Sequence, residues 1–326
     1  MRDFGRIMLI IGTVIGSGFA SGKEIAVFFS RFGSLSYVFI GLAFFLFFGV
    51  FYWILSYGNK GMSKLNSSKF FLILSVVVSL VFTSSMFAGT TATMSFSLLP
   101  LDIFLILALL IICIYVSQKG IKLLAKINTF LIPAAIVVLI CCLINNFSSQ
   151  PGFINGSFFS GSFFSVLYVV MNVSTSCLVM GQLGEQMTKK SRLIVSFFSA
   201  LILAVLLVFI NYVILSNDGS INLSMPLLEI SSGSIKILMR IVIFLGCLTT
   251  LLSLVYTISQ ALLKLGVYGV FNVFISVILP FCTSFMGFGN IVSILYPFVS
   301  VLGIFMLYPF CPTEKIKKLL IFKKKR

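Results

Sequence analysis

The sequence predicts an all-α polytopic membrane protein whose ten transmembrane helices form two halves of five. Three observations carry that expectation. Of 326 residues, 60% are hydrophobic and only 9% charged, against about 25% charged in soluble domains. Apolar stretches of about 20 residues, each enough to cross about 30 Å of hydrocarbon, recur along the whole chain. The positive charges fall in alternate gaps between those stretches, as in a chain that weaves through a bilayer.

The first apolar stretch, 5–30, follows Arg2 and Arg6 and is too long for the apolar region of a cleaved leader, so it reads as span 1. The others are expected at 35–57, 70–95, 101–117, 127–146, 161–184, 192–215, 235–263, 266–285 and 288–310. Lys60, Lys64 and Lys69 separate spans 2 and 3; Lys119, Lys122 and Lys126 separate spans 4 and 5. Lys189, Lys190 and Arg192 separate spans 6 and 7, and Lys264 separates spans 8 and 9. With ten spans all of these share one side with the basic tail 311–326. The opposite gaps hold Arg31 and, at the start of span 8, Lys236 and Arg240. An odd number of spans would spoil this alternation. The positive-inside rule then predicts a multi-pass plasma-membrane (inner-membrane) protein with both termini in the cytoplasm.

Several function classes fall away. The net charge of +16 is spread over short loops instead of being gathered on a folded basic domain, so the partner is the lipid bilayer and no nucleic acid is expected. There is no histidine and no C-x-x-C, and six of the seven cysteines lie inside apolar stretches. That argues against zinc chemistry and against a disulfide framework. No G-x4-G-K-[ST] phosphate loop is present. The chain is not expected to be an enzyme or to carry a cofactor.

Ten spans divide into halves at about 5–146 and 161–310 within one transmembrane domain. Five spans per half force the second half to run opposite to the first, the arrangement of inverted-repeat transporters. Each half opens on a span with a polar interruption. Span 1 contains "GTVIGSGFASGKE" (12–24), and span 6 contains "YVVMNVSTSCLVMGQLGEQM" (168–187). Glycine, serine and asparagine are poor helix formers, so helices 1 and 6 are both expected to be discontinuous. Unwound backbone in a membrane is tolerated only where its N–H and C=O groups line a cavity or meet a ligand. Gly16, Ser17 and Gly18 with Asn172, Ser174 and Thr175 are therefore the candidate substrate groups. The half-helix starting near Phe19 would turn its positive end toward a carboxylate. Carbonyls near Gly12 and Ile15 would suit a cation. The competing reading of the same glycines is close helix packing, since Gly12-x3-Gly16 and Gly18-x3-Gly22 are small-x3-small patterns. Pro133, Pro280 and Pro297 are expected to mark kinks.

The stretch "GTVIGSGFASGKEIAVFFSRFG" (12–33), opening a ten-span chain, resembles the YkvI-like amino-acid permeases of the amino acid–polyamine–organocation superfamily. That resemblance implies the LeuT-like fold of five plus five spans, with helices 1 and 6 unwound around a small substrate. Sodium-coupled proteins of that fold hold a cation between helix 1 carbonyls and helix 8. On the matching positions the resemblance implies Na+ bound by Gly12 and Ile15 with Gly246, Thr249 and Thr250 of "FLGCLTTLLSLVY" (244–256). Span 5 has no lysine beyond Lys126, unlike some proton-coupled members.

Glu24 stands about 9 Å beyond Gly18 on an ideal helix. It is a candidate to attract a cationic or zwitterionic substrate or to gate by pairing with Arg31, with Phe82, Phe87 and Tyr168 as candidate aromatic gates. The outer loop 216–234 is long enough to form a lid. The expected function is a secondary active transporter, a permease or symporter of a small amino acid or related zwitterion, working by alternating access with Na+ coupling. The alternative is a ligand-sensing receptor subunit of the same superfamily, like the spore germinant receptors, with no net transport.

Overall fold

The computed structural model describes residues 3–94, 108–115, 121–145, 157–217 and 219–310. Most of the fourth expected span, the loop between the halves and the basic tail 311–326 lie outside them. The described residues are helical throughout, without a strand. Helix 1 comes in three pieces, α1 (Asp3–Val14), α2 (Ser17–Ala20) and α3 (Lys23–Phe28). A tight turn, Ser30–Leu35, leads into α4 (Ser36–Ser67). Then come α5 (Lys69–Met94), α6 (108–115), α7 (Ile121–Asn145), α8 (Phe158–Gly184) and α9 (Lys189–Leu215). A short α10 (Pro226–Ile230) sits in the loop before α11 (Gly233–Lys264). Two composite helices close the chain. The first joins α12 (Gly269–Val273) to α13 (Leu279–Thr283), and the second joins α14 (Phe288–Asn290) to α15 (Tyr296–Leu307).

Among the described residues, seven helical segments are long and apolar enough to cross a membrane: Ser30–Gly58, Lys69–Thr93, Phe158–Gly184, Lys189–Leu215, Gly233–Lys264, Gly269–Met286 and Phe288–Phe310. The protein is a multi-pass membrane protein. Long faces of Phe, Ile, Val and Leu, such as Phe45, Phe130, Phe159 and Val270, are exposed on its outside, as a hydrocarbon solvent allows. Two of the three prolines expected to mark kinks follow a change of helix type. A π turn, Phe274–Ile278 or Ile291–Leu295, comes just before Pro280 or Pro297, where the missing N–H would leave a gap in the ladder. Pro133 lies inside α7 without ending it.

Among the described residues, charged gaps meet in pairs. Arg6 donates to Asp3 at 2.7 Å, to Ser191 Oγ at 3.1 Å and to the Gln186 carbonyl at 3.1 Å. Lys264 donates to Asn66 at 2.7 Å. The Ser191 hydroxyl, and after it Arg6, hold the Asp3 carboxyl below the ordinary carboxylate range against an opposing push from burial.

Packing places helix 1 at the centre, where α1 touches α7, α8, α9 and α11. Several of the other contacts have counterparts when the elements of 5–146 are exchanged for those of 161–310. α1 packs on α7 as α8 packs on α15; α4 packs on α8 as α9 packs on α1. Likewise α11 meets α7 as α5 meets α15, and α1 meets α11 as α8 meets α5. The α4–α9 and α5–α11 contacts map onto themselves.

One expectation fails. α8 is a single unbroken helix from Phe158 to Gly184, so helix 6 is not discontinuous. Its polar residues close their hydrogen bonds within the helix. Asn172 Nδ2 donates to the Tyr168 carbonyl at 3.0 Å, Ser174 to Met171 at 2.8 Å, Thr175 to Asn172 at 2.8 Å and Ser176 to Asn172 at 2.9 Å. Such bonding to the preceding turn satisfies the side chain in an apolar setting without unwinding the helix. The glycines of this helix serve packing. A Cβ on Gly58 of α4 would come 2.5 Å from the Gly181 carbonyl oxygen, and one on Gly184 would meet the Leu55 backbone, its carbonyl carbon at 2.9 Å. The α4–α8 crossing is a small-residue contact of the kind that lets backbones approach.

Candidate functional site: the broken first helix

The break in helix 1 begins where Gly16 N–H turns to the Val14 carbonyl at 2.9 Å. In a continuous helix that N–H would go to Gly12. The Gly12 carbonyl is thereby released from its own helix. Thr250 of α11 takes it up: its Oγ1 lies 3.0 Å from the Gly12 oxygen and 2.9 Å from the Ile15 oxygen, donating to the pair. Thr250 is 4% exposed, so two carbonyls and a hydroxyl from helices about 235 positions apart meet in a dry interior. Gly246, one turn earlier on α11, permits the approach. A Cβ there would lie 3.3 Å from the Ile15 oxygen and 3.5 Å from the Gly16 oxygen.

Gly12, Ile15, Gly246 and Thr250 are thus brought together as expected, and Thr249 is not. Its hydroxyl donates to Gly246 of its own helix at 3.0 Å. Successive residues on a helix point about 100° apart, so only one of two adjacent threonines can face helix 1. The converging oxygens are hard donors of the kind an alkali cation uses, and helix-end carbonyls in broken membrane helices serve this purpose. A Thr250 hydroxyl rotated to present a lone pair would complete a three-oxygen face for Na+.

The substrate candidates divide. Gly16 and Gly18 flank the start of α2. Ser17 opens α2, and its side chain lies outside the described atoms. Gly16 is covered by Met86 of α5, whose Sδ would be 2.8 Å from an added Cβ; sequence reasoning passed over Met86. Asn172, Ser174 and Thr175 do not open onto a break, because α8 has none. Ser174 instead faces α15, where its Oγ would lie 2.9 Å from a Cβ on Gly303. The expected positive end of a half-helix is also weak. α2 spans four residues before the chain breaks again at Ser21–Gly22, with Gly22 in the left-handed region at φ 81°. So few aligned peptides sum to little dipole.

That second break redirects Glu24. Instead of standing 9 Å above Gly18, its carboxyl folds back against it, and a Cβ on Gly18 would lie 2.6 Å from the Glu24 carboxyl carbon. Glu24 is 2% exposed. The expected partnership with Arg31 does not form: the exposed Arg31 guanidinium stacks over the Phe164 ring at 3.7 Å and the Phe32 ring at 4.9 Å. Of the three candidate aromatic gates, Tyr168 of α8 packs against the end of helix 1, 5.5 Å from the Phe28 ring and 4.9 Å from Phe29. Phe82 packs on Tyr296 and Phe87 on Phe281. Both fill contacts of α5 with the last helices. Aromatic residues are so frequent here that position along a span could not separate them.

The loop before α11 is fastened to the same end of helix 1. Leu227 N–H donates to the Ser21 carbonyl at 2.9 Å, filling the acceptor that the second break frees, and Lys23 Nζ donates to the Leu223 carbonyl at 2.7 Å. Beside this strap lies a cavity of about 430 Å³ lined in part by Ala92, Ser224, Met225, Leu228, Glu229 and Phe288.

No protein-family model matches the chain. Over an alignment of 330 residues it is 26% identical to the uncharacterized protein YyaD of Bacillus subtilis (strain 168), covering 92% of this chain and 94% of the other. The likeness runs end to end and is not confined to the broken helix.

Proposed function

We propose that the protein is a secondary transporter of a small amino acid or related zwitterion, working by alternating access and coupled to Na+ at Gly12, Ile15 and Thr250. The observation that carries the reading is the Thr250 hydroxyl bridging two carbonyls of a broken central helix. Threonines in membrane helices commonly bond to their own turn, as Thr249 does. A cross-helix hydroxyl on two released carbonyls is a place where a cation can exchange with a proton donor.

The ten-span LeuT-like arrangement, of the YkvI-like permease type, is part of the same proposal. It is supported by the pairing of helix contacts under exchange of the halves and by the central place of helix 1. The strap from the outer loop suits a lid that must release Ser21 and Lys23 for the outer side to open. The cytoplasmic placement of both termini, in the plasma membrane, belongs to the same proposal and is supported by the alternation of positive charge along the sequence.

Uptake into proteoliposomes of a labelled amino-acid mixture, with and without an inward Na+ gradient, tests this reading. Accumulation is expected to need Na+, to be lost in Gly16→Leu and Thr250→Val, and to be retained in Thr250→Ser, which keeps the hydroxyl. Accumulation driven by a proton gradient alone would remove the sodium site. Binding without uptake would point to a receptor.

A further inference from the structure

The α3 end of helix 1 holds a carboxyl that packing does not account for. Glu24 Oε2 is buried without a hydrogen-bond partner among the described residues, and so is the hydroxyl of the fully buried Tyr168. Tyr168 lies against α3, its ring 5.5 Å from that of Phe28, which stands one turn beyond Glu24 on the same face. The nearby cations are engaged elsewhere. Lys23 holds the Leu223 carbonyl, and Arg31 lies on aromatic rings at the surface. The other segments packed on α3 add no charge. Ser17–Ala20, Ser220–Asn222 and Ile291–Leu295 contain no acid or base, and α9 carries Lys189, Lys190 and Arg192 in its first turn at the far end.

A buried carboxyl takes up a proton or meets a donor, and a bound cation favours the second. What is missing here is a compact donor with more than one N–H, able to reach Glu24 Oε2 and the Tyr168 oxygen together. An ammonium group has three such donors and a charge of the right sign. A substrate carboxylate at Gly18 would meet the Glu24 carboxyl already lying against that residue, with only a four-residue helix to attract it.

We propose that Glu24 and Tyr168 hold the ammonium group of the transported substrate, so that the break in helix 1 reads the amine end of the molecule and not its carboxylate. The inference rests on the transporter reading and narrows it. Substrates are amines first, and the carboxylate of an amino acid is dispensable for recognition at this point.

Binding of the labelled amino-acid mixture to the full-length protein in nanodiscs tests it, with two unlabelled competitors. One is the set of primary amines that lack the carboxylate; the other is the set of carboxylic acids that lack the amine. Amines are expected to displace the label and acids to fail. Glu24→Gln should weaken binding at least about tenfold, the scale of one lost charge-assisted contact, and Tyr168→Phe should weaken it less. Displacement by the acids but not the amines would overturn the proposal, as would wild-type affinity in Glu24→Gln; either leaves the transporter reading standing. A wild-type protein that binds no amino acid would bring down both. Should Glu24→Gln fail to fold, the competition on wild type and the Tyr168→Phe affinity decide the matter.

Discussion

Helix 1 and α8 are both rich in small and hydroxyl residues at mid-span, and they use them in opposite ways. In helix 1 the glycines sit where the ladder is abandoned, and the carbonyl released at Gly12 is met by Thr250 from α11. In α8 the hydroxyls return to their own turn and the glycines seat Gly58 and Leu55 of α4. Serine, threonine and asparagine bring their own donors, and so can stay helical in an apolar setting. Glycine brings none and removes the side chain that would shield the backbone. A membrane helix therefore opens where glycines cluster and a neighbour supplies the missing donor. Polar content alone does not open it.

The widest separation between the two uses is expected at adjacent threonines. Thr250→Val leaves the Gly12 and Ile15 carbonyls without the hydroxyl that satisfies them, at about 1–3 kcal/mol for each buried group. Thr249→Val removes a bond within one turn whose acceptor, the Gly246 carbonyl, also belongs to the helix ladder, at well under about 1 kcal/mol. Thermal unfolding in one detergent should show a large drop in Tm for the first and a small one for the second. Equal drops would mean that the bridge to helix 1 is not what stabilises the break.

A second test compares glycine with glycine. A Cβ on Gly58 meets the Gly181 backbone at 2.5 Å, which can yield only if α4 and α8 move apart. A Cβ on Gly16 meets the tip of Met86 at 2.8 Å, a flexible side chain that can swing away. Gly58→Ala should cost about 1–3 kcal/mol of stability. Gly16→Ala should cost less and act on ligand binding instead. A Gly16→Ala protein as destabilised as Gly58→Ala, with binding intact, would make the first helix another packing device.

The same contrast separates what is legible in the amino-acid sequence from what is not. The seven long spans follow from apolar length, because hydrocarbon thickness sets how many apolar residues a crossing needs. The break in helix 1 follows from three glycines in seven residues. The choice between Thr249 and Thr250 is not open to the same reasoning: Gly246 stands three residues before one and four before the other and shares a face with both, so only the direction in which α11 meets helix 1 separates them. The continuity of α8 escapes it because helix propensities weigh serine and asparagine against water, and no water competes for them here. The fold-back of Glu24 is not legible at all, since it depends on a second break at Ser21–Gly22 whose freed carbonyl is filled by Leu227 from a loop about 200 residues away.

The smallest expected effect lies at the charged end, where helix 1 is tied to α9 and not broken. Asp3 accepts from Ser191 and Arg6, which lower its affinity for protons in the folded state. A carboxyl whose folded value is depressed contributes stability that is fully present above its unfolded value, about 3.9, and is lost as the pH falls through the folded value. Asp3→Asn lacks that contribution at every pH. The wild-type Tm should therefore exceed the variant's slightly at about pH 6, and the gap should close toward about pH 3. The gap should be modest because the Asp3 side chain is 36% exposed and solvent screens the pair. A gap that persists unchanged into acid would assign the effect to packing at the helix start, and would leave the contrast between a tied end and a broken middle resting on the central helix alone.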